Sequence, residues 1–228
     1  MVHPSDGEAW KHFNSVHPHF SAESRNARLG LCIDEFVALY SCWPVILTVY
    51  NLPPGMCMRP EFMFLSTIIP GPSSPGRNID VCLQPLIDEL AQLWSFGALT
   101  YDISRKQNFL MRATLMWTIN DFPAYGMLSG WRRHGKLVCP YCMENNKAFT
   151  LAKRGKASFF YCHRRFLPLN HRYRKDFFVG RVEKDVASPR LSSEELHDVV
   201  SEYGDIVFGL QSGKQKFPGF GLTHNWVK

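Results

Sequence analysis

Residues 27–34 read Ala-Arg-Leu-Gly-Leu-Cys-Ile-Asp. An apolar run this short, without helical spacing, predicts a strand that delivers Asp34 at its end. Two further runs rich in β-branched and aromatic residues predict two more strands. Trp43–Tyr50 (WPVILTVY) is closed by Asn51-Leu52-Pro53-Pro54-Gly55, and Phe62–Ile69 (FMFLSTII) by the breakers PGPSSPG at 70–76. The period then changes. Leu83, Leu86, Ile87, Leu90, Leu93 and Trp94 recur at helical spacing, with Asn78 or Asp80 as N-cap and Pro85 placed in a first turn. A last run, Phe109–Ile119 (FLMRATLMWTI), delivers Asp121 to a turn before Pro123. Periodicity leaves it open as strand or buried helix; its place after the long helix favours a strand. Three strands, a helix and a strand make a mixed α/β layer.

The 228 residues suit one domain of ordinary size or one with an insertion, and 45% hydrophobic with 14% aromatic content excludes global disorder. The longest apolar run, Trp43–Tyr50, is broken by Pro44 and Thr48 and falls well short of the roughly 18 residues of a membrane helix. The start, MVHPSDGEAWKHF, has no apolar h-region, so no secretory signal is expected and the chain reads as soluble and intracellular. Residues 1–24 read as an irregular polar preamble with one short helix. The expected organisation is a first α/β part over 1–131, a basic insertion over 132–181, and the start of a mostly helical part over 182–228. In that last part Ser192 and Glu195 make a capping box ahead of Leu196, Val199 and Val200. It ends at THNWVK without a closing signal, as a truncated chain would.

Charge is concentrated in the middle part. Residues 132–181 hold 13 of the 26 Lys and Arg and only two acids, Glu144 and Asp176, a local charge of +11; the other 178 residues hold 13 basic and 18 acidic side chains, −5. A basic block on a mildly acidic body points to a polyanion, most simply nucleic acid; the competing reading is a solvated basic face. Arg132, Arg133, Arg164, Arg165, Arg172, Arg174 and Lys175 are the candidate DNA contacts, several of them interleaved with the aromatic residues Phe166, Tyr173 and Phe177.

The same block carries Cys139-Pro140-Tyr141-Cys142. Two thiolates at this spacing can share one tetrahedral Zn²⁺, because the turn points both sulfurs inward. Downstream stand His163, with twenty residues between it and Cys142, and His171, with seven between it and His163. The expected ligands are Cys139, Cys142, His163 and His171, with Cys162 in reserve. Four protein ligands leave no open position, so the zinc would be structural and would fold a loop poor in apolar residues. An unmetallated turn with two surface histidines is the competing reading. Cys32, Cys42, Cys57 and Cys82 sit in apolar runs and read as core residues.

Asp34 and Asp121, 87 residues apart, both end predicted strands. Carboxylates on neighbouring strands can hold the divalent ions of two-metal phosphoryl transfer, though most strand-end aspartates are caps. The strings ARLGLCIDEF, WPVILTVYNLPPGMCM, IIPGPSSPGRNIDVCLQPLIDEL, LMWTINDFPAYGMLSGW and CHRRFLPLNHRYR resemble the transposase of plant CACTA (En/Spm-type) DNA transposons, over nearly the whole chain. The resemblance implies an RNase H-like catalytic core of DDE/D type, interrupted by a basic zinc-binding insertion. It implies Mg²⁺-dependent cut-and-paste excision, binding to transposon ends, and a nuclear location. It places Asp34 and Asp121 at the first two catalytic positions, and Cys139, Cys142, His163 and His171 at the insertion's metal positions.

The sequence departs from the family pattern in three places. Glu35 stands where the family has Gly, the segment Phe36–Trp43 is several residues short, and the family's third acid lies downstream of the region matching Trp226. Glu202 and Asp205 fall in the insertion and do not replace it. The expectation is therefore a DDE/D transposase fragment, inactive as this chain, partnered by DNA and by a homo-oligomer or a longer transposase, with no membrane. The alternative is a non-catalytic, zinc-stabilised DNA- or protein-binding module left from a decayed transposon.

Overall fold

The strand expected at ARLGLCI is β1, Ala27–Ile33, and its near-continuous burial marks it as central. The computed structural model describes residues 3–37, 41–129, 139, 141–142, 145–146, 148–150, 158–159, 161–175, 182–189 and 191–201. Contacts divide the chain into residues 1–75 with 81–124, and residues 76–80 with 125–228.

The first unit is built on a five-stranded mixed sheet. A short β2, Phe36–Val37, follows β1, and both pair antiparallel with β3, Ser41–Val49, in one continuous register (Ile33 with Val45, Phe36 with Cys42). On the other side of β3 runs β4, Met63–Pro70, also antiparallel. The far neighbour of β1 is β7, Ala113–Asn120, and this pair is parallel. The expected strand–strand–strand–helix–strand order is therefore present as a mixed α/β sheet.

Two features depart from the expected elements. The run Phe109–Ile119 is not one strand. Between β4 and β7 lie β5, Ala98–Asp102, and β6, Gln107–Met111, which among the described residues pair only with each other. Arg112 is the switch point: its N–H donates to Asn26 Oδ1 at 2.7 Å and its carbonyl accepts from Ala27 N–H at 2.8 Å. Asn26 thus detaches the chain from the hairpin and feeds it beside β1.

The second departure concerns helices. The preamble holds two, α1 (Glu8–Val16) and α2 (Pro18–Ala22). The long α3 spans Ile79–Ser95, so Pro85 lies in its interior and not in its first turn. Pro85 is on the exposed side, where the carbonyl that it leaves without a donor can bind water.

The N-terminal helices cover the sheet face that carries Gly30. Trp10 of α1 stacks on Trp117 at 6.3 Å, and Tyr50 meets the same indole edge-on at 5.2 Å. A Cβ at residue 30 would lie 2.5 Å from the Tyr50 ring, so only glycine fits there. Arg28 is buried under these rings, its guanidinium 4.6 Å from Trp10 and bonded to Asn14 Oδ1.

In the second unit the described elements are short. Here α4 (Phe122–Leu128) continues from the first unit, and β8 (Phe149–Thr150) pairs with β9 (Ser158–Phe159). Single 3₁₀ turns cover Tyr161–Phe166 and Arg172–Arg174. The expected capping box is formed: Glu195 N–H donates to Ser192 Oγ and Ser192 N–H to Glu195 Oε2, opening α5, Ser193–Ser201. Among the described residues no helix is long and apolar enough to cross a membrane.

Candidate functional site

The two strand-end aspartates come from β1 and β7. Their parallel register sets Ile33 beside Asn120, so Asp34 and Asp121 are the next residues at the same end of two neighbouring strands. The ends are tied together: Ile33 N–H donates to Asn120 Oδ1 at 2.9 Å. The β1–β3 register explains why β1 stops there. Continued by one residue, it sets Asp34 opposite Pro44. Ile33 turns its N–H toward β7, so Asp34 would be the residue to exchange bonds with β3, and Pro44 has no N–H to give. Asp34 is exposed, its Oδ1 accepting from Glu35 N–H at 2.8 Å. Asp121 Oδ1 caps α4 by accepting from Ala124 N–H at 2.8 Å. Asp121 therefore does fill the ordinary cap role. Each Oδ2 accepts no hydrogen bond among the described residues, so each carboxylate keeps an oxygen for a cation.

In the second unit the structure gathers Cys139, Cys142 and His163, whose ligand atoms all lie within 4.8 Å of one another. Both cysteines are buried, and Cys142 N–H donates to Cys139 Sγ at 3.4 Å, the bond that shapes a knuckle. The 3₁₀ turn Tyr161–Phe166 presents His163, with Nε2 shielded from solvent. Burial, and then the charge of Arg165, hold His163 below the ordinary histidine range, which keeps the ring in the neutral form that binds metals. Burial pushes the Cys142 thiol up, and a hydrogen bond from Arg165 opposes it. Two sulfurs and one imidazole nitrogen at this separation fit a thiolate–imidazole metal site.

His171 is not part of this cluster. Its Nδ1 accepts from Tyr173 N–H at 3.2 Å and caps the turn Arg172–Arg174. The side chain of Cys162 lies outside the described residues. The expected four-ligand set is thus brought together in three of its members.

The transposase family tnp2 matches residues 1–203. The chain belongs to that family. No curated protein and no solved structure matches it.

Within this tnp2-family chain the basic candidates divide by burial. Arg174 is 3% exposed, and its guanidinium donates to four carbonyls, those of Arg165, Leu167, Glu183 and Asp185. Arg165 is 5% exposed and donates to Ser188 Oγ at 2.6 Å. Neither is free to meet a phosphate. Both stand among the candidate DNA contacts read from the sequence, and a charge spacing in sequence does not say which guanidinium the fold takes for internal hydrogen bonds. Arg172 and Lys175 are exposed, and Arg172 lies 4.7 Å over the Tyr173 ring while donating to its hydroxyl. Arg164 donates to the carbonyls of Tyr173 and Lys175. Arg132 and Arg133 lie outside the described residues. The aromatic residues Tyr141 and Phe166 stand half-exposed and edge-to-face at 5.3 Å beside the cysteine cluster, an available stacking surface.

Proposed function

We propose that this tnp2-family chain is the core of a CACTA-type transposase, with an RNase H-like sheet in which Asp34 and Asp121 are two of the three carboxylates that hold Mg²⁺. The observation that carries this reading is the parallel pairing of β1 and β7, with Ile33 beside Asn120, which puts both aspartates at one strand-end level. The order β4, β3, β1, β7, antiparallel except for the last pair, supports it. Bound Mg²⁺ would supply charge at the attacking and leaving oxygens of a DNA phosphate. The residues of this chain would orient it: Asn120 holds the strand ends level, and the cap bond to Ala124 fixes the rotamer of Asp121. Part 132–181 would hold Zn²⁺ through Cys139, Cys142 and His163 and present Arg164, Arg172 and Lys175 to transposon-end DNA in the nucleus. The partners are DNA and a second transposase copy, of the same or greater length.

Divalent-ion binding and DNA binding test the two halves separately. Mn²⁺ titration should give one site in the parent, weakened at least about tenfold in Asp34→Asn and in Asp121→Asn, since Mg²⁺-like ions rest on very few protein carboxylates. Equal affinity in all three proteins would end the carboxylate reading. Duplex binding should weaken steeply with salt, and replacing Arg172 and Lys175 with Ala should flatten the slope by about one to two contacts. Binding indifferent to salt would leave a non-catalytic protein-binding module as the better account.

A further inference from the structure

In the first unit the elbow between α1 and α2 meets the C-terminal end of α3 around a cavity of about 280 Å³. That is the small end of ligand sites, with room for one nucleotide. Its walls are aromatic and cationic at once. Phe20 is buried and stacks on Trp94 at 5.4 Å, and the rings of His17 and Trp94 meet at right angles at 5.1 Å. Trp94 is braced in this way, yet 37% of it stays exposed. A fixed, part-open indole is a platform for another planar ring.

Arg112 enters the same cavity from the switch between β6 and β7. Gly97, with φ +72°, ends α3 and makes room for its stem, since a Cβ there would lie 3.1 Å from Arg112 Cγ. The neighbouring arginines are committed, Arg25 to Glu23 and Asp102, and Arg28 to Asn14. Among the described residues the Arg112 guanidinium has neither a hydrogen bond nor an ion pair, and the ring nitrogens of His17 and His19 have no hydrogen bond. Ser95 adds acceptors. Gln92 O takes both Phe96 N–H and Gly97 N–H, so the last carbonyls of α3 have no donor within the helix and can accept from an amino group.

The geometry points to a pocket for one unpaired nucleotide of a DNA strand, its base against Trp94 and its phosphate on Arg112, His17 and His19. A purely apolar ligand would leave the three nitrogen-bearing side chains unanswered, and a small inorganic anion would leave the indole unused. A base with its phosphate uses both. In a duplex the base is paired and stacked, so the strand entering here is single, as at an end freed by cleavage. This rests on the DNA reading above and puts a base contact in the first unit, outside the basic part 132–181.

The test uses the full chain and single-stranded 12-mers, one intact and one with its central bases removed. The parent should hold the intact strand about tenfold more tightly, the size of one base–aromatic stack. Trp94→Leu should erase that preference, and a 2-aminopurine in the strand should lose the fluorescence quenching that stacking causes. Arg112→Gln and His19→Ala should weaken both strands several-fold and leave duplex affinity within about twofold. dAMP should compete weakly with the strand, and inorganic phosphate less than dAMP. If Trp94→Leu fails to fold, Arg112→Gln and His19→Ala decide, because neither side chain carries a hydrogen bond that the fold would lose. Equal affinity of the parent for both strands, or a preference that survives in Trp94→Leu, would overturn the inference while leaving duplex binding standing. Phosphate competing as well as dAMP would make this a simple anion site, and dAMP binding as tightly as the strand a free-nucleotide site; either overturns it. A folded parent that binds neither strand nor duplex would overturn the DNA reading and this inference with it.

Discussion

Replacing Arg174 with Lys keeps the positive charge and removes the fork. The guanidinium donates from Nε to Glu183 O at 3.2 Å, from Nη1 to Arg165 O and Leu167 O at 2.9 Å each, and from Nη2 to Asp185 O at 2.6 Å. A charged donor contributes about 1.5–3 kcal/mol per bond net, so four bonds taken singly sum to about 6–12 kcal/mol. Two effects reduce that figure. An ammonium keeps one or two of the four bonds, and carbonyls released near the surface regain water. Losses from one substitution seldom exceed about 4–5 kcal/mol. The expected cost is therefore about 3 kcal/mol, felt locally, because all four acceptors lie in residues 165–185. Hydrogen exchange followed on peptides covering 161–189 reads this directly: 3 kcal/mol of lost opening free energy speeds exchange about a hundredfold. Arg172→Lys is the control, since Arg172 is exposed and, among the described residues, its side chain bonds only Tyr173 Oη; its exchange should match the parent within about threefold. Exchange in Arg174→Lys equally close to the parent would refute the structural assignment, and a parallel loss of DNA affinity would return Arg174 to the interface.

Asp80, half-buried in the first turn of α3, is pushed up to about 6 by burial, and its Oδ2 is shielded without a partner. Its folded value lies above its unfolded one, so its stabilising contribution is complete below about pH 4 and is lost as pH rises to about 6. Asp80→Asn should flatten that slope and, after discounting for partial exposure, add about 1–2 kcal/mol at pH 7; superimposable urea midpoints from pH 4 to 8 would sink the claim. Gly30→Ala should cost about 1–3 kcal/mol, because the new methyl meets a Tyr50 ring braced by Trp117, and Tyr50→Leu in the same chain should recover part of the lost melting temperature. Cys139→Ser, Cys142→Ser and His163→Ala should each abolish stoichiometric zinc, whereas His171→Ala should retain it and lose only a turn cap; zinc lost in His171→Ala would restore His171 as a ligand.

What the sequence alone determined was whatever rests on neighbours within a turn or a strand. The strands β1, β3 and β4 are legible because apolar and β-branched residues run between breakers, and the capping box at Ser192 because its two bonds span three residues. The cysteine knuckle is legible for the same reason, Cys139 and Cys142 being joined by one turn. Everything that depended on a distant partner was decided by the tertiary structure. The split at Arg112 is imposed by Asn26, 86 positions away, and the hairpin β5–β6 has no periodic signal because its Leu99, Tyr101 and Leu110 face solvent. His163 joins the cysteines and His171 does not, although both follow at open spacings, because the turn at 161–166 aims one ring inward and the turn at 172–174 takes the other as its cap. Arg165 and Arg174 look like Arg164 and Arg172 along the chain. Only folding distinguishes them, since burying a guanidinium requires acceptors or an anion gathered around it, and those come from residues up to 23 positions away.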